Sequence, residues 1–175
     1  RLREEGWAVP EFLENCDCNP VYRVEEGRLK VRHWDGKYHD VKLPEGVVRF
    51  SMMRRTLPPV SENESASLFH LDKGIRLVEF HTKANALDEG CMAMVAEAAS
   101  YPGPGIMVHN DAQHFSAGVN LERFLKFIKD ENWTGIDEFL KDFQSSVSAL
   151  LYCNAPVVGA PSGLAIGGGY EVLAH

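Results

Sequence analysis

FSAGVNL (residues 115–121) and AIGGGYEV (residues 165–172) are two stretches of one design, in which a small or glycine-containing turn leaves a strand and leads into a helix. The first N–H groups of a helix have no acceptor within that helix, and the helix dipole adds about half a positive charge there. Glycine lets a ligand approach the backbone closely. Two such turns that converge would aim two amide donors at one oxygen atom, which is an oxyanion hole.

The hydrophobic periodicity around these turns predicts an α/β fold, because it changes repeatedly between a period of two and a period of about 3.6 residues. The predicted elements are two strands in 67–80 around a turn at 72–74, a helix in 85–100, a strand at 105–110, a helix in 114–130, a helix that follows Gly135 and ends before Pro156, a strand at 156–160, and a helix that begins near Tyr170.

The N-terminal part predicts a separate, smaller structure. Residues 20–43 alternate apolar and polar side chains and are interrupted at Glu26-Gly27 and Asp35-Gly36, which predicts a three-stranded antiparallel meander. Asp-Gly favours a type I′ hairpin turn, since that turn needs positive φ at both central residues. We place a linker at 51–65, between a part at 1–50 and a domain at 66–175.

Composition excludes several classes of protein. The chain has 175 residues, 45% of them hydrophobic and 25% charged, which is ordinary for a globular domain. A net charge of -7 argues against nucleic acid as a partner, and RNA binding by the meander remains only an alternative to a solvated sheet face. No apolar run predicts a membrane span or a signal peptide, so we expect a cytoplasmic protein with reduced cysteines.

A metal site is not expected. Cys16 and Cys18, with His33 and His39 downstream, offer zinc ligands, but a single intervening residue is not the usual structural-zinc spacing. Both ends of the chain predict a piece of a longer protein: Arg1 is not an initiator methionine, and His175 interrupts a helical pattern that has no stop signal. We therefore expect self-association or disorder near His175 and exposed apolar surface under Leu164, Ile166 and Val172.

The collinear motifs KANALD, IMVHN, HFSAGVNL and APVVGAPSGLAIGGGYEV resemble the crotonase (enoyl-CoA hydratase/isomerase) superfamily across roughly residues 65–175. The resemblance implies a crotonase-like ββα superhelix, truncated here and preceded by the meander. The family's first oxyanion turn usually reads Phe-x-Ala-Gly-x-Asp, and Asn120 replaces the acid. By this match the donors are the N–H groups of Val119 and Gly168, and Glu171 is one of two hydratase glutamates.

The resemblance also implies a ligand and its contacts. A coenzyme A thioester would touch Lys83, Ala84, Asn85, Ala86 and Ala117. Each feature has a plainer interpretation: the glycines serve packing alone, Glu171 stabilises the first turn of its own helix, and Asn85 caps the helix that follows KANALD. The second hydratase glutamate lies in the family beyond a further strand and helix.

The N-terminal third resembles the junction in bacterial fusion enzymes that carry a 3-hydroxyacyl-CoA dehydrogenase part first and a hydratase part last. No dinucleotide fingerprint is present, so an NAD site would belong to a dehydrogenase part outside this sequence. The implied function is hydration of 2-enoyl-CoA in fatty acid β-oxidation by a homo-oligomer, with this piece itself inactive. The alternatives are enoyl-CoA isomerisation and a non-catalytic acyl-CoA-binding or assembly module.

Overall fold

The chain forms two units, Arg1–Thr56 and Leu57–His175, and the computed structural model describes residues 4–11 and 19–175. Cys16 and Cys18 lie outside the described residues, so the zinc hypothesis cannot be followed there. Within the described ranges no group of three or more His, Cys, Asp or Glu side chains is arranged to hold a metal ion. None of the helices seen there is long and apolar enough to cross a membrane.

The first unit contains the predicted meander. Strands β1 (Tyr22–Glu25), β2 (Arg28–Arg32) and β3 (Tyr38–Asp40) pair antiparallel in chain order, followed by the short helix α1 (Phe50–Met53). Salt bridges join Lys30 to Glu25 and Arg28 to Asp40, so the basic residues of this sheet are largely offset by acids.

The two hairpin turns of the meander differ in backbone conformation. Glu26 and Gly27 have φ of 50° and 74°, so the two-residue turn with both φ positive lies there. At the other hairpin only Gly36 has positive φ, and its N–H donates to the carbonyl of His33 at 3.0 Å. The type I′ turn predicted at Asp35-Gly36 is therefore wrong. Asp35 instead accepts the N–H of Lys37 at 2.9 Å, which favours a longer loop.

The second unit is built on a five-stranded sheet. Its strands lie in chain order: β4 (Ser61–Glu62), β5 (Ala66–His70), β6 (Arg76–Phe80), β7 (Ile106–His109) and β8 (Val157–Ala160). The pairs β4/β5 and β5/β6 are antiparallel, while β6/β7 and β7/β8 are parallel. Because parallel strands end at the same edge of a sheet, the chain segments that follow β7 and β8 begin side by side.

Four helices accompany this sheet: α2 (Glu89–Ala99), α3 (Leu121–Lys129), α4 (Trp133–Tyr152) and α5 (Gly168–Ala174). Helix α2 begins after Asp88, whose carboxylate accepts the N–H of Cys91, so the interpretation of Asn85 as its cap is wrong. Helix α4 begins two residues before Gly135, because the side chain of Asn132 accepts the Gly135 N–H at 2.9 Å.

The core lies between the sheet and helices α2 and α4. Fully buried side chains include Leu68, Val78, Phe80, Ile106, Val95, Phe115 and Leu150. Val172 of α5 also packs into this core at 4% exposure, so the apolar surface expected under Val172 is absent. Leu164 and Ile166 are 55% and 50% exposed, as expected.

Candidate functional site

The two glycine-containing turns run side by side. The N–H of Ser116 donates to the carbonyl of Leu164 at 3.1 Å, and the N–H of Ile166 donates to the carbonyl of Ser116 at 3.2 Å. This is a parallel bridge between Ser116 and Ala165, and it continues the parallel pairing of β7 and β8 beyond the ends of both strands. The turns predicted from the sequence to converge are therefore neighbours.

A third segment, residues 83–87, lies along the other side of the first turn. Leu87 donates its N–H to the carbonyl of Gly118 at 2.8 Å and accepts the N–H of Asn120 at 2.8 Å. The N–H of Ala117 donates to the carbonyl of Ala84 at 3.1 Å. The first turn is thus fixed between two neighbouring segments by backbone hydrogen bonds.

Hydrogen bonds occupy most of the N–H groups in these turns. In the first turn Ser116, Ala117 and Asn120 donate to backbone carbonyls, and Gly118 donates to the hydroxyl oxygen of Ser116 at 3.1 Å. Across the part of the chain that the structure describes, the N–H of Val119 finds no acceptor. In the second turn the same holds, within the described ranges, for Gly168 and its neighbour Gly167.

The two turns that carry these amides lie very close to each other. A Cβ atom added to Gly118 would lie 3.5 Å from the amide nitrogen of Gly168 and 3.1 Å from the carbonyl oxygen of Ile166. A Cβ added to Gly168 would lie 3.0 Å from Cγ1 of Val119. Glycine at these positions is what lets the two backbones approach each other.

Close packing accounts for the need for glycine at only part of the triplet Gly167–Gly169. At Gly169 an added Cβ would lie 2.6 Å from the Cβ of Ser116, which is a steric requirement. Gly167 has φ of 50° and ψ of -127°, a conformation accessible in practice only to glycine, and its one close neighbour would be the Cα of Gly118 at 3.8 Å. The chain therefore needs Gly167 for the shape of the turn, which orients the start of α5.

Glu171 lies in the first turn of α5 and is exposed. It lines a concave space of about 560 Å³, whose other walls include Phe143 and Val147 of α4. Phe143 also closes on the second turn, because a Cβ added to Gly168 would lie 3.2 Å from its ring. No side-chain partner of the Glu171 carboxylate occurs among the described residues. The carboxylate is therefore available to a ligand, and it is also well placed to stabilise its own helix.

The residues expected to contact coenzyme A differ in exposure. Lys83, Ala84 and Ala117 are exposed and adjacent, since Ala84 and Ala117 share a hydrogen bond. Asn85 is buried at 5% exposure, and its side-chain amide donates to the carbonyl of His114 at 2.8 Å. Ala86 is half-buried.

The backbone of this segment is strained. Ala84 and Asn85 have φ of 54° and 50°, in the left-handed region that disfavours side chains other than Asn and Asp. Such conformations persist where surrounding contacts fix them, and they cluster at ligand sites. Here the bonds to His114 and Ala117 fix the segment.

Two buried polar residues of the site carry no signal in the sequence. Asn110, 1% exposed, accepts the N–H of Phe80 and donates to the carbonyl of Phe115, both at 2.6 Å. Ser116, fully buried, donates its hydroxyl to the carbonyl of Asn85 at 2.7 Å. Asn120 is the helix cap of α3 and accepts the N–H of Glu122. Asn120, which stands where the family usually has Asp, therefore still caps this helix.

Comparison with known structures establishes the fold. The chain superimposes on the crystal structure of an enoyl-CoA hydratase/carnithine racemase from Magnetospirillum magneticum with a TM-score of 0.55 and 19% identity, over 64% of this chain and 44% of that chain. The chain therefore has the crotonase-type α/β fold, as predicted, and spans less than half of that structure.

Sequence comparison identifies relatives that match the predicted fusion. The chain is 28% identical over 169 residues to the "Probable 3-hydroxyacyl-CoA dehydrogenase" of Bacillus subtilis, covering 95% of this chain and 21% of that protein. It is 31% identical over 117 residues to the "Putative fatty acid oxidation complex trifunctional enzyme" of Rickettsia prowazekii, covering 65% of this chain and 16% of that protein. No known family profile matches the chain. The chain spans about a fifth or less of these relatives.

Proposed function

We propose that this chain supplies the oxyanion hole and one acid/base group of an acyl-CoA enzyme that hydrates 2-enoyl-CoA. The observation that supports the proposal is the pair of amides, Val119 N–H and Gly168 N–H, that have no acceptor among the described residues and belong to two turns whose backbones approach each other closely. A thioester carbonyl oxygen held between the two turns would accept both hydrogen bonds. The fatty acid oxidation name of the Rickettsia relative supports the same substrate class.

The two donors would act on the charge that develops during hydration. Water gives one proton to a base as its oxygen adds to C3 of the enoyl group, and the electron pair of the C2–C3 double bond moves toward the thioester oxygen. Preorganised donors stabilise that oxygen, and each is typically worth about 2.7 to 4 kcal/mol in the transition state. A proton then adds at C2, which completes the addition of one water molecule.

Glu171 is the proposed acid/base residue for these proton transfers. It lies one turn into the helix whose first residue is Gly168, on the wall of the concave space. A positioned carboxylate of this kind contributes about 10² to 10⁴-fold to the rate. In the crotonase resemblance a second glutamate shares the work, and a 3-hydroxyacyl-CoA dehydrogenase part with its own NAD would act next on the product.

Isomerisation of an enoyl-CoA is the second candidate. Among the described residues that line the concave space, Glu171 is the single carboxylate. One carboxylate suffices to take a proton from one carbon of an enoyl thioester and return it to another. A non-catalytic acyl-CoA-binding module is the candidate from another class.

Turnover of crotonyl-CoA by the complete gene product separates hydration from the non-catalytic module. We expect hydration in the unmodified protein and a loss of about 10² to 10⁴-fold in kcat for Glu171→Gln. Glu122→Gln is the matched control, because Glu122 is also an exposed acid in the first turn of a helix but does not line the concave space. Equal hydration in all three proteins would remove Glu171 from the mechanism. Binding of crotonyl-CoA with no turnover would favour the binding module.

A further inference from the structure

We propose that Ser116 is a positioning residue that selects Val119 as the one free amide donor of the first turn, through a hydroxyl that bridges three segments of the site. This inference rests on the proposed function, since it explains how the oxyanion hole is assembled. Ser116 does not reach the ligand space, because it is completely buried.

The hydroxyl of Ser116 makes two hydrogen bonds of opposite sense. It donates to the carbonyl of Asn85 at 2.7 Å and accepts the N–H of Gly118 at 3.1 Å. The first bond reaches the strained segment next to Lys83, and the second lies within the oxyanion turn. A hydroxyl is the side-chain group that can donate and accept at once from one small atom.

The third contact of Ser116 is with the glycine triplet. A Cβ on Gly169 would lie 2.6 Å from the Cβ and 2.9 Å from the Oγ of Ser116, so the second turn rests directly on this side chain. The backbone of Ser116 also bonds to Leu164 and Ile166 on either side of that contact. One residue therefore touches all three segments that form the site.

The hydrogen bond from Gly118 to the Ser116 hydroxyl matters because it satisfies the N–H of Gly118. Without the Ser116 hydroxyl, the N–H of Gly118 would be a second unsatisfied donor beside that of Val119, and the peptide between Ala117 and Gly118 would lose the bond that holds its N–H. The hydroxyl fixes the Gly118 peptide with its N–H turned inward. The next amide, that of Val119, is then the donor of this turn that has no acceptor among the described residues.

A purely structural role for Ser116 predicts a different outcome from a positioning role. Ser67 provides the matched control: it is 2% exposed, and its hydroxyl also has two partners, Glu62 and His81, each at 3.0 Å. Ser116→Ala and Ser67→Ala each remove from the second unit a buried hydroxyl that makes two hydrogen bonds. Only the first change lies at the oxyanion turn.

The experiment uses the complete gene product and two readouts. In Ser116→Ala we expect kcat for crotonyl-CoA to fall by about 10-fold with KM changed less than about twofold, because the donor is displaced and not removed. The infrared carbonyl band of bound butyryl-CoA, isotope-labelled at the thioester carbon, should shift less from its free position than in the unmodified protein. Ser67→Ala should match the unmodified protein in both readouts.

Amide hydrogen exchange in the unmodified protein tests the same idea without a mutation. The Gly118 amide should be protected, and the Val119 amide of the same turn should exchange readily. Exchange of Gly118 as fast as Val119, or a folded Ser116→Ala protein with unchanged kcat and carbonyl band, would overturn the role of Ser116. If the unmodified protein neither hydrates crotonyl-CoA nor shifts the carbonyl band, the proposed function itself fails.

Discussion

Gly118→Ala should damage the proposed oxyanion hole far more than it damages the fold. Gly118 has φ of 90°, and an alanine there would pay roughly 1 to 2 kcal/mol for a left-handed backbone. Its Cβ would also lie 3.1 Å from the Ile166 carbonyl and 3.5 Å from the Gly168 amide nitrogen, so the two turns must separate by a few tenths of an ångström. A displaced donor costs up to about 100-fold in rate.

Gly74→Ala isolates the backbone cost in the same unit of the chain. Gly74 has φ of 81° in the turn between β5 and β6, and its added Cβ would make ordinary contacts at 3.4 Å with Pro104. We expect urea unfolding to show a loss of roughly 1 to 2 kcal/mol for Gly74→Ala and somewhat more for Gly118→Ala. Crotonyl-CoA hydration should fall by about 10 to 100-fold only for Gly118→Ala. A folded Gly118→Ala protein as active as Gly74→Ala would refute the proposed site.

Two further predictions concern helix α2. Burial raises the pKa of the Cys91 thiol to about 12 from 9.0, so the folded state favours the protonated thiol. The contribution of Cys91 to the free energy of unfolding should therefore be fully present below pH 9 and decline as the pH rises toward 12. Alkylation mapped by mass spectrometry at pH 8 should label Cys91 only after unfolding. Asp88→Ala should lower the free energy of unfolding in a urea titration by about 0.5 to 2 kcal/mol. The reason is that Asp88 caps the helix through the Cys91 N–H and accepts the hydroxyl of Ser65 at 2.7 Å. Asp88→Asn keeps the cap and should lose less stability in the same titration.

The order of strands and helices could be predicted from the sequence because each element carries its own period and its own boundary residues. Asp72–Gly74 marks a turn that the structure confirms. The choice of turn type was less accessible. The type I′ conformation was expected at Asp35-Gly36 and is found at Glu26-Gly27. At Asp35-Gly36 the carboxylate of Asp35 accepts the N–H of Lys37, which stabilises a different loop.

The interior of the candidate site could not be predicted, because its hydrogen bonds join residues that are distant in the chain. Asn85 and Ser116 are 31 residues apart, and Phe80 and Asn110 are 30 residues apart. In the sequence, a buried serine or asparagine that bridges two segments cannot be distinguished from one in an exposed loop. The resemblance to known enzymes supplied the positions of Val119, Gly168 and Glu171, which hydrophobic periodicity alone does not distinguish.

Under the proposed function, ligand binding and donor placement would be physically coupled. The strained Ala84 and Asn85 bond to the segment that carries Ala117, and Leu87 bonds on both sides of Val119. A coenzyme A thioester that contacts the 83–86 segment would therefore restrain the same backbone that presents the Val119 amide. Binding energy from a remote part of a substrate can be used in this way to hold reacting groups in position. A substrate lacking the nucleotide part should accordingly lose kcat as well as affinity.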